Sequence, residues 1–175
     1  MEPLGPIRRF LAADHDRLEA LLSSAASSSG ELDVPSYALF RAGLLRHIGI
    51  EEKILFPASR RANSGVPHPT EGQLHRDHGA LALLLVPTPT VDLIAELRSI
   101  LDRHNEIEEG PGGIYDACDR LLGGELEAVM EQVRAYPPVK VAPHFDGPDV
   151  PRSAQDALRA VSRGRTSESD PRDSD

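Results

Sequence analysis

Residues 40–52 read FRAGLLRHIGIEE, and the spacing of their side chains decides how the chain folds. Phe40, Leu44, His47 and Glu51 are separated by four, three and four residues, so on an α-helix they lie on one face. Phe40 and Leu44 are large and apolar, which indicates that this face points into a protein interior. The stretch therefore predicts a helix that carries an imidazole and a carboxylate inward.

The same spacing occurs in three other segments. They are Leu11-His15-Leu18-Leu22, Leu74-His78-Leu81-Leu85 and Leu97-Leu101-His104-Glu108. Four helices that pack with these faces together would bring four imidazoles to one place. The chain is also a weak internal duplication, since Asp-His recurs before leucines at 14–22 and 77–85, and His-x-x-x-Glu-Glu recurs at 47–52 and 104–109. We expect two helix pairs of one design, related by a pseudo-twofold axis through the site.

The remaining apolar residues also follow a helical period, with no long alternating run of the kind typical of half-buried strands. We predict an all-α four-helix bundle with helices near 4–27, 35–56, 70–86 and 90–110, and an additional helical stretch over 114–133. Thr70 with Gln73 is typical of a capping box at the start of the third helix, and Thr90 can cap the fourth. Pro57 implies a kink at the end of the second helix.

Composition divides the chain at about residue 135. Residues 136–175 are rich first in Pro and then in Ser, Asp and Arg, with too few large apolar side chains to form their own core. We predict a helical bundle over 1–135 and a flexible tail over 136–175. A short helix near 153–161 is possible within that tail.

Charge and hydropathy exclude several classes of partner. The net charge of -9 would repel a phosphate backbone, and no cluster of Lys and Arg with interleaved aromatics occurs. The longest strongly apolar stretch, 80–86, is far shorter than the roughly 20 residues needed to span a bilayer, and no signal pattern opens the chain. Cys118 is the only cysteine, which favours a reducing compartment. We expect a cytoplasmic protein without nucleic-acid or membrane partners.

The two glutamates on the helix faces require positive charge. Burying Glu51 or Glu108 without a partner would cost on the order of several kcal/mol, and no Lys or Arg lies on the four faces. Two divalent cations would neutralise both carboxylates and use neutral imidazoles as ligands. A lone histidine on an apolar face is more often a hydrogen-bonded core residue. Four histidines in register, two with a glutamate at the same offset, favour a metal centre instead.

The number of ligands indicates what the metal does. His75 precedes His78 by three residues and can supply a fifth imidazole; the alternative is a partly exposed residue at the helix start. With about six positions on each of two ions, five imidazoles, two bridging glutamates and an oxo or hydroxo bridge leave one position open. That position suits a small neutral ligand such as dioxygen or nitric oxide. These ligands favour iron, with zinc and manganese as alternatives.

Polar residues beside the four faces have two interpretations. Asp14 and Asp77 either hydrogen-bond a neighbouring imidazole or lie exposed on their helices. Glu52 and Glu109 leave the apolar faces, so we expect them in solvent. An ordinary packing role is expected for three further residues, Tyr37, Tyr115 and Cys118.

The Asp-His pairs and the His-x-x-x-Glu-Glu segments, with Leu55-Phe56-Pro57 after the first of these, resemble the hemerythrin-like HHE cation-binding family. The resemblance covers residues from about 5 to 125. It implies an up-down-up-down four-helix bundle with a di-iron centre that binds dioxygen or nitric oxide, senses oxygen or iron, or handles iron and peroxide. The metal ligands that it implies are His15, His47, Glu51, His75, His78, His104 and Glu108.

Three functions follow from this inventory. The first is a non-haem di-iron protein that binds dioxygen or nitric oxide for sensing, storage or carriage. The second is an iron-handling or peroxide-consuming di-iron oxidoreductase, which histidine-rich ligation disfavours because ferritin-like enzymes use more carboxylates. The third is a regulatory bundle with a structural metal, whose tail contacts an unknown protein partner. We expect a binding protein more than a turnover enzyme.

Overall fold

The protein is all-α, as predicted. The computed structural model describes residues 4–26 and 30–167, with side chains up to residue 164. Its helices are α1 Pro6–Ala25, α2 Val34–Ile50, α3 Phe56–Ala62, α4 Glu71–Leu84, α5 Val91–Glu109, α6 Ile114–Leu121, α7 Leu126–Ala135 and α8 Ala154–Ser167. A π-helical turn, Glu51–Leu55, joins α2 to α3, and a 3₁₀ turn, Gly123–Glu125, precedes α7. Among the described residues, β pairing is confined to one isolated bridge between Ala26 and Leu32.

Two apolar clusters fill the interior, one toward each end of the bundle. The first contains Leu18, Leu22, Tyr37, Phe40, Leu44, Leu81, Leu84, Leu93 and Leu97. The second contains Ile7, Leu11, Ile50, Leu55, Phe56, Leu74, Ile114, Tyr115 and Cys118. Along the chain, α1 and α4 run from the second cluster to the first, whereas α2 and α5 run from the first to the second. Successive bundle helices therefore point in opposite directions, which is the predicted up-down-up-down arrangement.

A polar layer separates the two apolar clusters. On every bundle helix a buried histidine lies between the residues of one cluster and those of the other, and a buried glutamate follows His47 and His104 by four residues. All six of these side chains are buried, the most exposed being His15 at 6%. The layer consists of His15, His47, Glu51, His78, His104 and Glu108.

Capping side chains mark the starts of α2 and α5. Asp33 accepts a hydrogen bond from the Ser36 amide ahead of α2, and Thr90 Oγ1 accepts one from the Leu93 amide at 3.1 Å, as predicted for the start of α5. The capping box predicted at Thr70 and Gln73 is wrong. Thr70 has helical backbone angles (φ -87°, ψ -11°), so its side chain does not cap α4, and its hydroxyl lies 2.8 Å from His68 Nδ1.

The predicted irregularity at Pro57 occurs as a widened helical turn. The amide of Phe56 donates to the carbonyl of Glu51, five residues earlier, so the chain passes through a π-helical turn directly before Pro57. A proline in a regular α-helix clashes with the carbonyl four residues back, and the wider turn relieves that clash. Glu51 is the first residue of this turn.

Residues 136–153 run along the bundle without helical structure. Arg46 donates to the carbonyl of Tyr136, buried Arg41 donates to the carbonyl of Ala142, and the Phe145 amide donates to the carbonyl of Val86. Helix α8 then packs on α4, with Ala157 fully buried in the first apolar cluster. The division at residue 135 stays a prediction, and residues 168–175 of the predicted tail lie outside the described residues.

Candidate metal centre

The polar layer contains two sets of four metal-binding side chains, and the two sets share both glutamates. The first set is His15, His47, Glu51 and Glu108, and the second is Glu51, His78, His104 and Glu108. Within each set, one ligand atom from every residue lies within 4.8 Å of the others. The structure thus brings together six of the seven predicted ligands.

Each glutamate reaches from one set to the other. The Glu51 oxygens lie 3.4 Å from His47 Nε2 and 3.1 Å from His78 Nε2. The Glu108 oxygens lie 3.4 Å from His15 Nε2 and 3.2 Å from His104 Nε2. A carboxylate in this position can bridge two cations, because each oxygen faces a different histidine.

The outer nitrogen of each histidine faces a carboxylate from a different helix. His47 Nδ1 lies 2.9 Å from Asp14 of α1, and His78 Nδ1 lies 2.6 Å from Glu52 of the π-helical turn. The remaining two contacts complete a closed ring around the bundle: His15 Nδ1 pairs with Glu109 of α5, and His104 Nδ1 lies 3.6 Å from Asp77 of α4, beyond hydrogen-bond distance. In the neutral imidazoles, Asp14, Glu52 and Glu109 hold the Nδ1 protons of His47, His78 and His15, so the Nε2 lone pairs of these three rings point at the layer.

Two of these outer carboxylates also contact an arginine. Arg17 Nε donates to Asp14 at 2.8 Å, and an Arg103 amino group lies 3.5 Å from Asp77. Both aspartates immediately precede a histidine of the layer in sequence, yet each supports the histidine of another helix. The two halves of the chain therefore build the same arrangement twice.

Neighbouring charges in the layer shift the pKa values of His47, His104 and Glu51. Burial alone would lower the pKa of His47, but the Glu51 and Asp14 carboxylates raise it to about 10. Glu108 and Asp77 likewise raise the pKa of His104 to about 10 against the effect of burial. Burial raises the pKa of Glu51, yet His47 and His78 hold it well below its ordinary value. Glu51 therefore stays ionised and attracts positive charge.

Tyr115 of α6 places its hydroxyl in the first set of ligands. The oxygen lies 2.5 Å from Glu51 Oε1, 3.0 Å from Glu108 Oε2 and 3.3 Å from Nε2 of both His15 and His47. Its side chain is fully buried. Burial and the two neighbouring glutamates raise the pKa of its phenol well above the ordinary value.

His75 is the predicted ligand that the structure leaves outside both sets. Its Nδ1 lies 2.7 Å from Glu52 and its Nε2 lies 3.2 Å from Glu71, and 23% of the side chain is exposed. Three residues along an α-helix correspond to about 300° of rotation, so His75 points to one side of His78. It contacts the layer only through Glu52.

Several atoms of the layer lack a hydrogen-bond partner, as expected of residues that fit a cation. Glu51 Oε2 and Glu108 Oε1 are buried and accept no hydrogen bond, and His104 Nδ1 and Asp77 Oδ2 also lack a partner. His78 Nε2 and His104 Nε2 lie 3.1 Å apart, although Glu52 beside His78 Nδ1 makes the Nε2 atom of neutral His78 an acceptor. Acceptors of this kind bind metal ions, and orphaned buried polar atoms are otherwise unfavourable.

A cavity of about 340 Å³ connects the layer with the surface beside α1 and α5. Buried Leu22 and Phe40 line its inner part, and the exposed side chains of Glu19 and Asp102 lie at its mouth. His15 and Glu109 form its end at the metal-binding layer. The cavity therefore reaches one ligand of the first set, His15.

A comparison with protein families agrees with this geometry. The model of the hemerythrin HHE cation binding domain matches residues 7–122, which is more than half of the chain. The chain belongs to the hemerythrin HHE cation-binding family. Searches of curated proteins and of solved structures each returned no significant match.

The hemerythrin HHE match ends at residue 122, so it covers the bundle helices, α6 and every residue of the polar layer. It supports cation binding by the buried histidines and glutamates. Among the described residues, no helix combines the length and the apolar character that crossing a membrane requires.

Sequence reasoning missed three residues of this hemerythrin HHE site. Glu52 and Glu109 were expected in solvent, but each is only about one-third exposed or less and contacts His78 or His15. Their signal was the repeated Glu-Glu pair, since a second acid in both halves of a duplication indicates a shared role. Tyr115 has no such signal, because a glycine-rich break separates it from the periodic pattern.

Proposed function

We propose that this protein binds two iron ions in the polar layer and uses them to bind a small neutral ligand, dioxygen or nitric oxide. The observation that carries the proposal is the pair of four-residue sets that share Glu51 and Glu108. Two carboxylates that face two histidines each are suited to bridging a pair of cations. Iron supplies an exchangeable coordination position and a readily changed oxidation state at such a centre.

The proposed ligands are His15, His47, Glu51, His78, His104 and Glu108. His75 is omitted, because Glu52 and Glu71 occupy its two nitrogens. The four imidazoles and two glutamates leave room for exogenous ligands on ions with about six positions. The cavity that reaches His15 supports a small ligand, since Leu18, Leu22, Phe40 and Leu44 line part of it and its volume is about 340 Å³.

Metal analysis of protein purified without added metal tests the first part of the proposal. We expect about two iron ions per chain and the loss of both in Glu51→Ala, because each ion would lose a bridging oxygen. Glu106→Ala is the matched control, since Glu106 lies two residues before Glu108 but is exposed. Equal iron content in Glu51→Ala and the wild type would refute the proposed centre.

Visible spectra of the iron-loaded protein test the second part. We expect a new absorption band when the reduced protein meets air or nitric oxide, and its reversal when the gas is removed. Iron-loaded protein whose spectrum does not respond to either gas would contradict ligand binding. Steady consumption of added peroxide would favour the oxidoreductase alternative instead.

A further inference from the structure

We propose that the phenol oxygen of Tyr115 is an additional ligand of the cation held by His15 and His47. The inference rests on the proposed metal centre and concerns only the ion of the first set. Tyr115 lies in α6, beyond the four bundle helices, and α6 packs against both α1 and α5. Coordination by Tyr115 would give the cation of the first set one more protein ligand than the cation of the second set.

The first argument is a count of hydrogen-bond donors. The Tyr115 oxygen lies within 3.3 Å of four oxygen and nitrogen atoms of the first set. The Glu51 and Glu108 oxygens accept hydrogen bonds, and in the neutral imidazoles that metal binding requires, the Nδ1 contacts of His15 and His47 with Glu109 and Asp14 leave their Nε2 atoms as acceptors too. A phenol has one proton to donate. A shared cation would satisfy the acceptors that this one proton leaves unpaired.

The second argument is the spacing of these atoms. Metal bonds of roughly 2.1 Å at right angles place neighbouring ligand atoms about 3 Å apart. The Tyr115 oxygen lies 2.5 to 3.3 Å from its four neighbours. The contacts of Glu51 with His47 and of Glu108 with His15 are both 3.4 Å. Tyr115 thus has the spacing of a fifth ligand of the first set.

The third argument is the position of the phenol. The Tyr115 ring packs in the second apolar cluster with Ile114 and Cys118, and its hydroxyl reaches the polar layer. The single proton of this phenol can pair with only one of the two carboxylate oxygens beside it. On binding a ferric ion, the phenol O–H bond breaks, its proton passes to solvent, and an oxygen–metal bond forms. No electron is transferred in this step.

The test is the visible spectrum of the ferric protein, compared among the wild type, Tyr115→Phe and Tyr37→Phe. Phenolate bound to ferric iron gives an intense charge-transfer band, which we expect in the wild type and in Tyr37→Phe but not in Tyr115→Phe. Tyr37 is the matched control because it is also buried, packs in the first apolar cluster and has an unpartnered hydroxyl. Iron content is measured in all three samples.

Two outcomes would overturn the inference while leaving the proposed centre intact. One is a full complement of iron without the band in the wild type, and the other is a band that persists in Tyr115→Phe. Absence of iron from the wild type would instead refute the centre itself. If Tyr115→Phe does not fold, resonance Raman spectra of wild-type protein grown with ring-deuterated tyrosine replace it. Phenolate vibrations that shift with the label support the ligand, and their absence rejects it.

Discussion

Each histidine of the polar layer has two different neighbours, one on each ring nitrogen. The outer nitrogen faces a carboxylate, as His47 Nδ1 faces Asp14 at 2.9 Å, and the inner nitrogen faces Glu51 or Glu108. The carboxylate orients the ring and raises the basicity of the inner nitrogen. Metal affinity should therefore depend on residues that do not touch the metal.

Asp14→Ala tests this dependence at a single residue. We expect the iron affinity to fall by about 10- to 100-fold, the usual effect of removing an outer carboxylate, because the His47 ring loses its orienting partner. Chelator competition measures the affinity. Asp16→Ala is the control, since Asp16 lies on the same helix but is exposed. An unchanged affinity in Asp14→Ala would show that the contact with His47 does not orient the imidazole in the loaded protein.

At the residue scale, the sequence predicted the inner ligands better than their surroundings. His15, His47, His78 and His104 share a helical spacing with large apolar residues, so their burial followed from periodicity. The side of a helix on which Glu52, Glu109 and His75 find partners depends on which helix lies next to it. Spacing within one helix contains no information about that neighbour.

At the scale of elements, the link between α5 and α6 decides where Tyr115 lies. Glu108 is in the last turn of α5, and the Gly110–Gly113 turn reverses the chain so that Tyr115 returns to the same layer. Gly113 makes this turn possible. A methyl group added there would overlap the Glu108 carbonyl oxygen and lie 2.8 Å from the carbonyl oxygen of Ile107.

Gly113→Ala should therefore destabilise the protein and disturb the site. We expect a loss of about 1–3 kcal/mol in the free energy of unfolding, typical of overpacking against atoms that cannot move aside. Gly124→Ala should change little, because an added methyl group there has no neighbour within 4 Å. Chemical denaturation measures both variants. Equal stabilities would mean that the turn rearranges easily.

The cavity between α1, α2 and α5 gives a second prediction at this scale. Leu101→Trp should fill the space in front of His15 and slow the association of nitric oxide with the iron-loaded protein, leaving the iron content unchanged. Leu39→Trp, on the 62% exposed side chain of Leu39 in α2, serves as the control. Stopped-flow absorbance gives both rates. Equal rates would indicate that the ligand enters elsewhere.

Helix positions were predictable because their signals are local, as at Thr90, where a hydroxyl caps α5. The prediction at Thr70 fails because another local contact forms there: the Thr70 hydroxyl pairs with His68 Nδ1, and Glu71 accepts a hydrogen bond from the His68 amide. The cavity could not be predicted at all. It depends on how far apart α1 and α5 pack, which no single segment determines.

For the whole molecule, the polar layer between the two apolar clusters links the free energy of unfolding to metal binding. Without cations, the raised pKa values of His47 and His104, both about 10, let these imidazoles hold protons that pair with Glu51 and Glu108. A folded pKa above the unfolded value of 6.5 stabilises the protein fully below pH 6.5, and this contribution disappears as the pH rises toward 10. With cations, the imidazoles must be neutral, so binding strengthens as the pH rises.

The melting temperatures of stripped and iron-loaded protein should consequently diverge as the pH rises above 6.5. Metal-free protein loses stability over this range, while bound iron adds stability by mass action. Calorimetry on chelator-treated and reloaded samples measures both curves. In metal-free Glu51→Ala the decline should be smaller, because Glu51 is the main group that raises the pKa of His47. Parallel curves for stripped and loaded protein would contradict the linkage.

The closed ring of carboxylate and histidine contacts has a consequence for protein engineering. The carboxylate beside the histidine of α2 comes from α1, and the one beside the histidine of α4 comes from the π-helical turn after α2. The carboxylate beside the histidine of α5 comes from α4, and the one beside the histidine of α1 comes from α5. No bundle helix therefore supplies the carboxylate that faces its own histidine. A helix transplanted from a relative would carry its own carboxylate, but its histidine would depend on a carboxylate of a host helix for its orientation. Chimeras should therefore keep their metal when α1, α2, α4 and α5 are exchanged together. They should lose it when one helix is replaced by the helix of a relative that lacks the matching carboxylate.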